Sequence, residues 1–97
     1  MSRKPVIAGN WKLNLTIDEG VALAKGLSEA LGKDGNRAKS VEVVICPTYV
    51  ALHAVSQAAG SIGVGGQDLF WEEKGAFTGA ISASQLKSAG ARYVIIG

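Results

Sequence analysis

Val6-Ile7-Ala8-Gly9-Asn10-Trp11-Lys12 is the stretch whose reading decides the fold. Its apolar start reads as a buried strand, and it closes on an amide, an indole and an ammonium where a greasy strand normally meets a turn. Strand side chains alternate between faces, so Ala8, Asn10 and Lys12 are expected on one face and Ile7, Gly9 and Trp11 on the other. A small residue, an amide and a cation then climb one face toward the strand's C-terminal end. In parallel α/β proteins that end is where ligands bind.

Three further Val/Ile-rich runs follow, so the expected strands are Val6–Trp11, Val41–Cys46, Ile62–Gly66 and Arg92–Gly97. None alternates cleanly with polar residues, the pattern of strands covered on both faces. Helical segments separate them. The first opens on the capping box Thr16-Ile17-Asp18-Glu19. Its residues Ile17, Val21, Ala24, Leu27 and Leu31 step by three or four into one stripe. Gly32 is expected to end it, with a polar loop from Lys33 to Ser40. The second helix is expected over Tyr49–Ala59, capped by Thr48 and stopped by Gly60. A short third helix follows the box Ser82-Ala83-Ser84-Gln85 and stops near Gly90. This β-α-β-α-β-loop-α-β order implies a parallel sheet with right-handed crossovers.

Composition bounds the function. The chain has 97 residues, enough for one small domain, and is 47% hydrophobic and 19% charged, which is globular. A net charge of +2 with scattered Lys and Arg argues against nucleic acid. No apolar run reaches membrane-spanning length and the N-terminus lacks a signal-peptide core, so no membrane and a cytoplasmic setting are expected. A single cysteine, Cys46, excludes an internal disulfide and a multi-cysteine metal site, and reads as a buried thiol.

The link Gln67–Ile81 is 15 residues long, against about 2–6 for a typical βα loop. It carries Leu69, Phe70, Trp71 and Phe77, so it either folds back on its own domain or docks on a partner. Gly75 and Gly79 bracket Ala76-Phe77-Thr78 and permit a tight tip.

Three elements stand in order: Gly-Asn-Trp-Lys-Leu-Asn at 9–14, Gly-Ala-Phe-Thr-Gly at 75–79 and Val-Ile-Ile-Gly at 94–97. With Gly-Gly-Gln-Asp at 65–68, they closely resemble the triosephosphate isomerase family over the whole chain. That resemblance implies the first four βα units, half, of a (β/α)₈ TIM barrel. It also implies interconversion of dihydroxyacetone phosphate and glyceraldehyde 3-phosphate through an enediolate, with no cofactor and no metal. Asn10, Trp11 and Lys12 match the family's substrate-binding motif, with Lys12 the catalytic cation. Gly75, Phe77 and Thr78 match the loop that reaches a neighbouring subunit, so a homodimer is implied for the full-length protein.

The family is itself a standard example of pKa tuning, in which a glutamate base works beside a neutral histidine. Its histidine directly follows the glycine matching Gly97, where this sequence stops. The resemblance therefore implies an N-terminal portion, inactive alone. Two positions depart from the family: Ala80 stands where Glu is usual, and Asp68 where many members carry Asn. The first removes a loop-ordering carboxylate, and the second adds a charge near the expected subunit contact, which would make assembly pH-sensitive.

Other polar residues have plainer readings. His53 falls within the second helix and reads as structural, and Glu72-Glu73 as a solvated face. Gly65-Gly66 reads as close backbone packing rather than a phosphate cradle. The competing readings are a non-catalytic α/β module whose aromatic loop binds a partner, and a different sugar-phosphate barrel. Sequence continuing His-Ser-Glu beyond Gly97 would favour the enzyme.

Overall fold

The computed structural model describes residues 3–34 and 39–97. Its elements run β1 (Val6–Asn10), α1 (Ile17–Asp34), β2 (Glu42–Cys46), α2 (Tyr49–Ala58), β3 (Gly63–Gly66), α3 (Ala83–Ser88) and β4 (Tyr93–Val94). All strand pairs are parallel, and the order across the sheet is β1-β2-β3-β4. Strand order never reverses. Each crossover therefore advances the sheet in one direction, as in a sheet on its way to closing into a barrel, whereas a doubly wound sheet turns back at a switch point.

The caps expected from the sequence form in part. Glu19 accepts the Thr16 N–H at 2.9 Å and the Thr16 hydroxyl at 3.1 Å, and these two bonds hold its carboxyl below the usual range. The α3 box is complete, since Ser82 Oγ accepts from the Gln85 N–H and Gln85 Oε1 accepts from the Ser82 N–H. Thr48 is the N-cap of α2, but its hydroxyl is buried without a partner. Gly60 and Gly90 follow α2 and α3 with φ of +61° and +107°, the conformation a helix-ending glycine supplies. At Gly90 a Cβ would also lie 2.4 Å from Ser56 Oγ, whose hydroxyl donates to the Ala89 carbonyl.

Several boundaries differ from the sequence reading. α1 runs through Gly32 to Asp34, because a lone glycine costs an established helix only about 1 kcal/mol and cannot by itself end one. Lys33 and Asp34 of the expected loop are thus helical, while its residues 35–38 lie outside the described residues. β1 ends at Asn10, β2 starts at Glu42, β3 starts at Gly63 and β4 is only Tyr93–Val94. Ladder bonds do continue beyond two of these ends, from Trp11 N–H to Cys46 O and from Ile95 N–H to Gly66 O.

One side of the sheet carries the core. Ile45 and Val64 pack with Ala24 of α1, with Ala51, Leu52 and Val55 of α2, and with Leu86 of α3. Of the expected α1 stripe, Ala24, Leu27 and Leu31 join the core and Ile17 is exposed, while Gly20, outside that stripe, is buried as well. Gly20 matters because a Cβ there would meet Trp11 and Val55 at 3.2 Å, so its bare Cα lets α1 settle on both.

The opposite, inner face holds Val44 and Cys46 against Gly63 and Gly65. Tyr93 lies over Gly63, and its hydroxyl donates to Glu42 Oε1 at 3.0 Å. Gly65 and Gly66 do serve close packing, since a Cβ would stand 2.9 Å from Cys46 Sγ or 2.7 Å from Leu86 Cδ2.

The expectation that every strand is covered on both faces fails at β1. All five of its residues are exposed, with Val6 at 56% and Ile7 at 59%. The reason is position: among the described residues β1 pairs only with β2, and β4 only with β3. Both edges therefore present unpaired backbone beside apolar side chains, among them Ile96. The isolated 97-residue chain is expected to bind a hydrophobic dye and to melt broadly. Scanning calorimetry with dye titration checks this, and a sharp calorimetric transition without dye binding would contradict it.

Candidate functional site

The site is built where β1, β2 and β3 end. Asn10 pairs in register with Cys46, so it shares the inner face with Cys46 rather than the helix-covered face of Ile45. Trp11 takes the other face, where its indole packs against α1 at Gly20. Here the alternation stops. Lys12 has φ +57° and Leu15 φ +75°, left-handed conformations that cost a non-glycine residue about 1–3 kcal/mol each. Lys12 therefore owes its placement to a turn, not to strand periodicity as the sequence suggested.

The turn is tied down from three directions. Asn10 Oδ1 accepts the Lys12 N–H at 2.9 Å, and Asn14 Nδ2 donates to the Trp11 carbonyl at 2.7 Å. From β3, Gln67 Nε2 donates to the Lys12 carbonyl at 2.9 Å and to the Cys46 carbonyl at 3.0 Å. The Cys46 carbonyl also accepts the Trp11 N–H at 3.0 Å. Of the site residues read from sequence, Asn10 and Lys12 are brought together, with Lys12 exposed. Trp11 contributes its backbone to the turn while its ring anchors the core.

Sequence reasoning missed Gln67 as part of this arrangement. Its signal was present: it lies two residues beyond Gly65 and so returns to the same face at the strand's end. Cys46, beneath the turn, is buried as expected, and burial pushes its thiol up. The site thus holds one exposed cation among the amides of Asn10, Asn14 and Gln67, above the buried Cys46 thiol.

The loop after β3 folds back on itself. Its base is clamped by Phe70 N–H donating to Ile81 O at 2.7 Å, and Phe70 stacks on Phe77 with ring centroids 4.5 Å apart. At its tip Gly75 and Gly79 have φ of +142° and +84°, and Ala80 N–H closes a turn onto Phe77 O. Glu73 is exposed and accepts from the Ser84 hydroxyl of α3, so it also ties the loop to that helix. Folding back leaves Trp71 80% and Phe77 47% exposed, with Gly75 and Thr78 also at the surface. Next to it, Tyr49 donates to the Asp68 carbonyl at 2.8 Å, and its phenol is raised by burial and by the Asp68 charge.

His53 lies in α2, with Nδ1 3.3 Å from the Ala89 carbonyl, so it braces α3 and takes no part in the strand-end site. Among the described residues no cluster of His, Cys, Asp or Glu could hold a metal ion, and no helix is long and apolar enough to cross a membrane.

The comparisons with known proteins agree with this geometry. A family model described as triosephosphate isomerase matches residues 5–97. A triosephosphate isomerase from Moorella thermoacetica is 48% identical over 98% of the chain, and one from Clostridium perfringens is 50% identical over the same share. The crystal structure of triosephosphate isomerase from Bartonella henselae superposes with a TM-score of 0.76 at 37% identity, covering 98% of this chain and 38% of that one. The chain spans 37% of the length of both curated relatives. Its one-directional parallel sheet is the arrangement of the first four βα units of that TIM barrel. On the match of nearly its whole length, the chain belongs to the triosephosphate isomerase family.

Proposed function

We propose that this chain forms the cation-bearing part of an active site that interconverts dihydroxyacetone phosphate and glyceraldehyde 3-phosphate. The observation that carries the reading is Lys12, held in a left-handed turn beside Asn10 at the C-terminal end of β1. Strain that the surrounding bonds hold in place is characteristic of functional sites.

In the reaction a carboxylate base removes a proton from C1 of the ketose. The C–H electron pair forms the C1–C2 double bond, and the carbonyl pair moves onto the C2 oxygen as an enediolate. Proton return to C2, with the C1 hydroxyl proton passing to the C2 oxygen, yields the aldehyde and its C2 hydroxyl. Negative charge thus develops on an oxygen close to an anionic phosphate. A fixed ammonium stabilises both, more strongly where water is excluded. Lys12 takes that role, and Asn10 holds the turn and a substrate oxygen in place.

The base and the carbonyl-polarising group come, on this reading, from the length of the relatives beyond this chain. No cofactor is needed, since the only species moved are protons. The same reading puts the protein in glycolysis and gluconeogenesis, in the cytoplasm. It also makes the exposed tip of Gly75, Phe77 and Thr78 a contact with a second copy, supported by the apolar surface left at Phe77 and Trp71.

A fusion of this chain to the remaining part of the Moorella thermoacetica relative tests the proposal. The fusion is expected to isomerise glyceraldehyde 3-phosphate, and Lys12→Met to lower kcat about 10²–10³-fold or more. A Lys12→Met fusion as active as its parent would overturn the assignment. In sedimentation of the same fusion, Thr78→Arg is expected to shift a dimer toward monomer, because it places a charge at the centre of the contact.

A further inference from the structure

We propose that Gln67 is a positioning residue for Lys12, an inference that rests on the reading of Lys12 given above. The side chain of Gln67 crosses from the end of β3 to the end of β1 and spends one amide nitrogen on two carbonyls, those of Lys12 and Cys46. Both neighbours are acceptors, so the amide orientation is determined: an oxygen in that place would face two carbonyl oxygens. The contact falls on the residue whose backbone is left-handed, φ +57°.

The bonds around Lys12 complement one another. Its N–H is held by Asn10 from within the turn, and its C=O by Gln67 from a different strand. Both peptide groups flanking the Lys12 Cα are therefore held, which sets the direction in which the side chain leaves the backbone. Cys46 O ties the arrangement to β2, because it accepts from Trp11 N–H and Gln67 Nε2 together. Removing the Gln67 donors frees the Lys12 peptide to relax toward a right-handed conformation, which swings the ammonium away from where charge develops. Misplacement on the scale of 1 Å costs catalysis heavily while leaving the charge available for diffuse attraction of the phosphate.

Gln67→Met removes the donors and keeps a straight chain of similar volume. In the fusion, kcat is expected to fall about 10–100-fold, with KM changed less than about threefold. The thermal midpoint, measured alongside, confirms that the variant is folded at the assay temperature. If it is not, Gln67→Asn, which keeps a donor on a shorter stem, carries the same test.

The decisive measurement is a double-mutant cycle with Lys12→Arg, which keeps a cation on a different stem. A residue acting through Lys12 loses most of its effect once Lys12 is changed, so Gln67→Met is expected to lower kcat by less than about threefold in that background. Full additivity, or a kcat within about twofold of the parent for the folded single variant, overturns the proposal while the Lys12 assignment stands. If Lys12→Met instead leaves kcat unchanged, the reading of Lys12 itself fails, and the role of Gln67 with it.

Discussion

The carbonyl of Cys46 is the point on which the rest of the site depends. As the last group of β2 it receives the Trp11 N–H, which extends the β1–β2 ladder by one bond, and the Gln67 side chain, which brings in β3. Three strand ends are thereby joined at one oxygen. A carbonyl has two lone pairs, and here both are used, in a buried setting where an unmade bond would be costly. Without this junction the segment from Trp11 to Thr16 would have little to oppose the strain at Lys12 and Leu15.

Packing beneath the junction follows the same economy of space. Gly65 brings β3 close enough for its neighbours to meet Cys46, and Gly20 lets α1 approach Trp11 and Val55. Trp11 thus joins two tasks through its two parts. Its backbone extends the ladder beside the cation, while its indole fills the gap between the sheet and α1. The aromatic loop beyond Gln67 is organised separately, by the Phe70–Ile81 clamp at its base and the Phe70–Phe77 stack. Leu69 and Ile81 pack against the core, while the apolar tip at Phe77 faces outward.

Much of this was legible in the chain of residues, for local reasons. Thr16-x-x-Glu19 and Ser82-x-x-Gln85 mark helix starts because the first pair satisfies one backbone N–H and the second pair two within a single turn. Gly60 and Gly90 mark helix ends because few other residues adopt their φ. Gly32 misled, since a helix held by tertiary packing runs past an isolated glycine. The exposure of β1 was not legible either: Val6, Ile7 and Ala8 are apolar enough for a covered strand, but burial depends on neighbours, and β1 has one.

By itself, then, the sequence determined the order and type of the elements, the parallel sheet that this order requires, and the motif that pairs Asn10 with Lys12. Each follows from interactions spanning a few residues. Only the tertiary structure decided that Lys12 sits in a left-handed turn, that Trp11 faces α1 and that Gln67, 55 residues from Lys12, holds its carbonyl. Those depend on which strand ends meet. Hydrogen bonds across such a distance in sequence leave no periodicity to read, because the fold, not the local chain, brings their partners within reach.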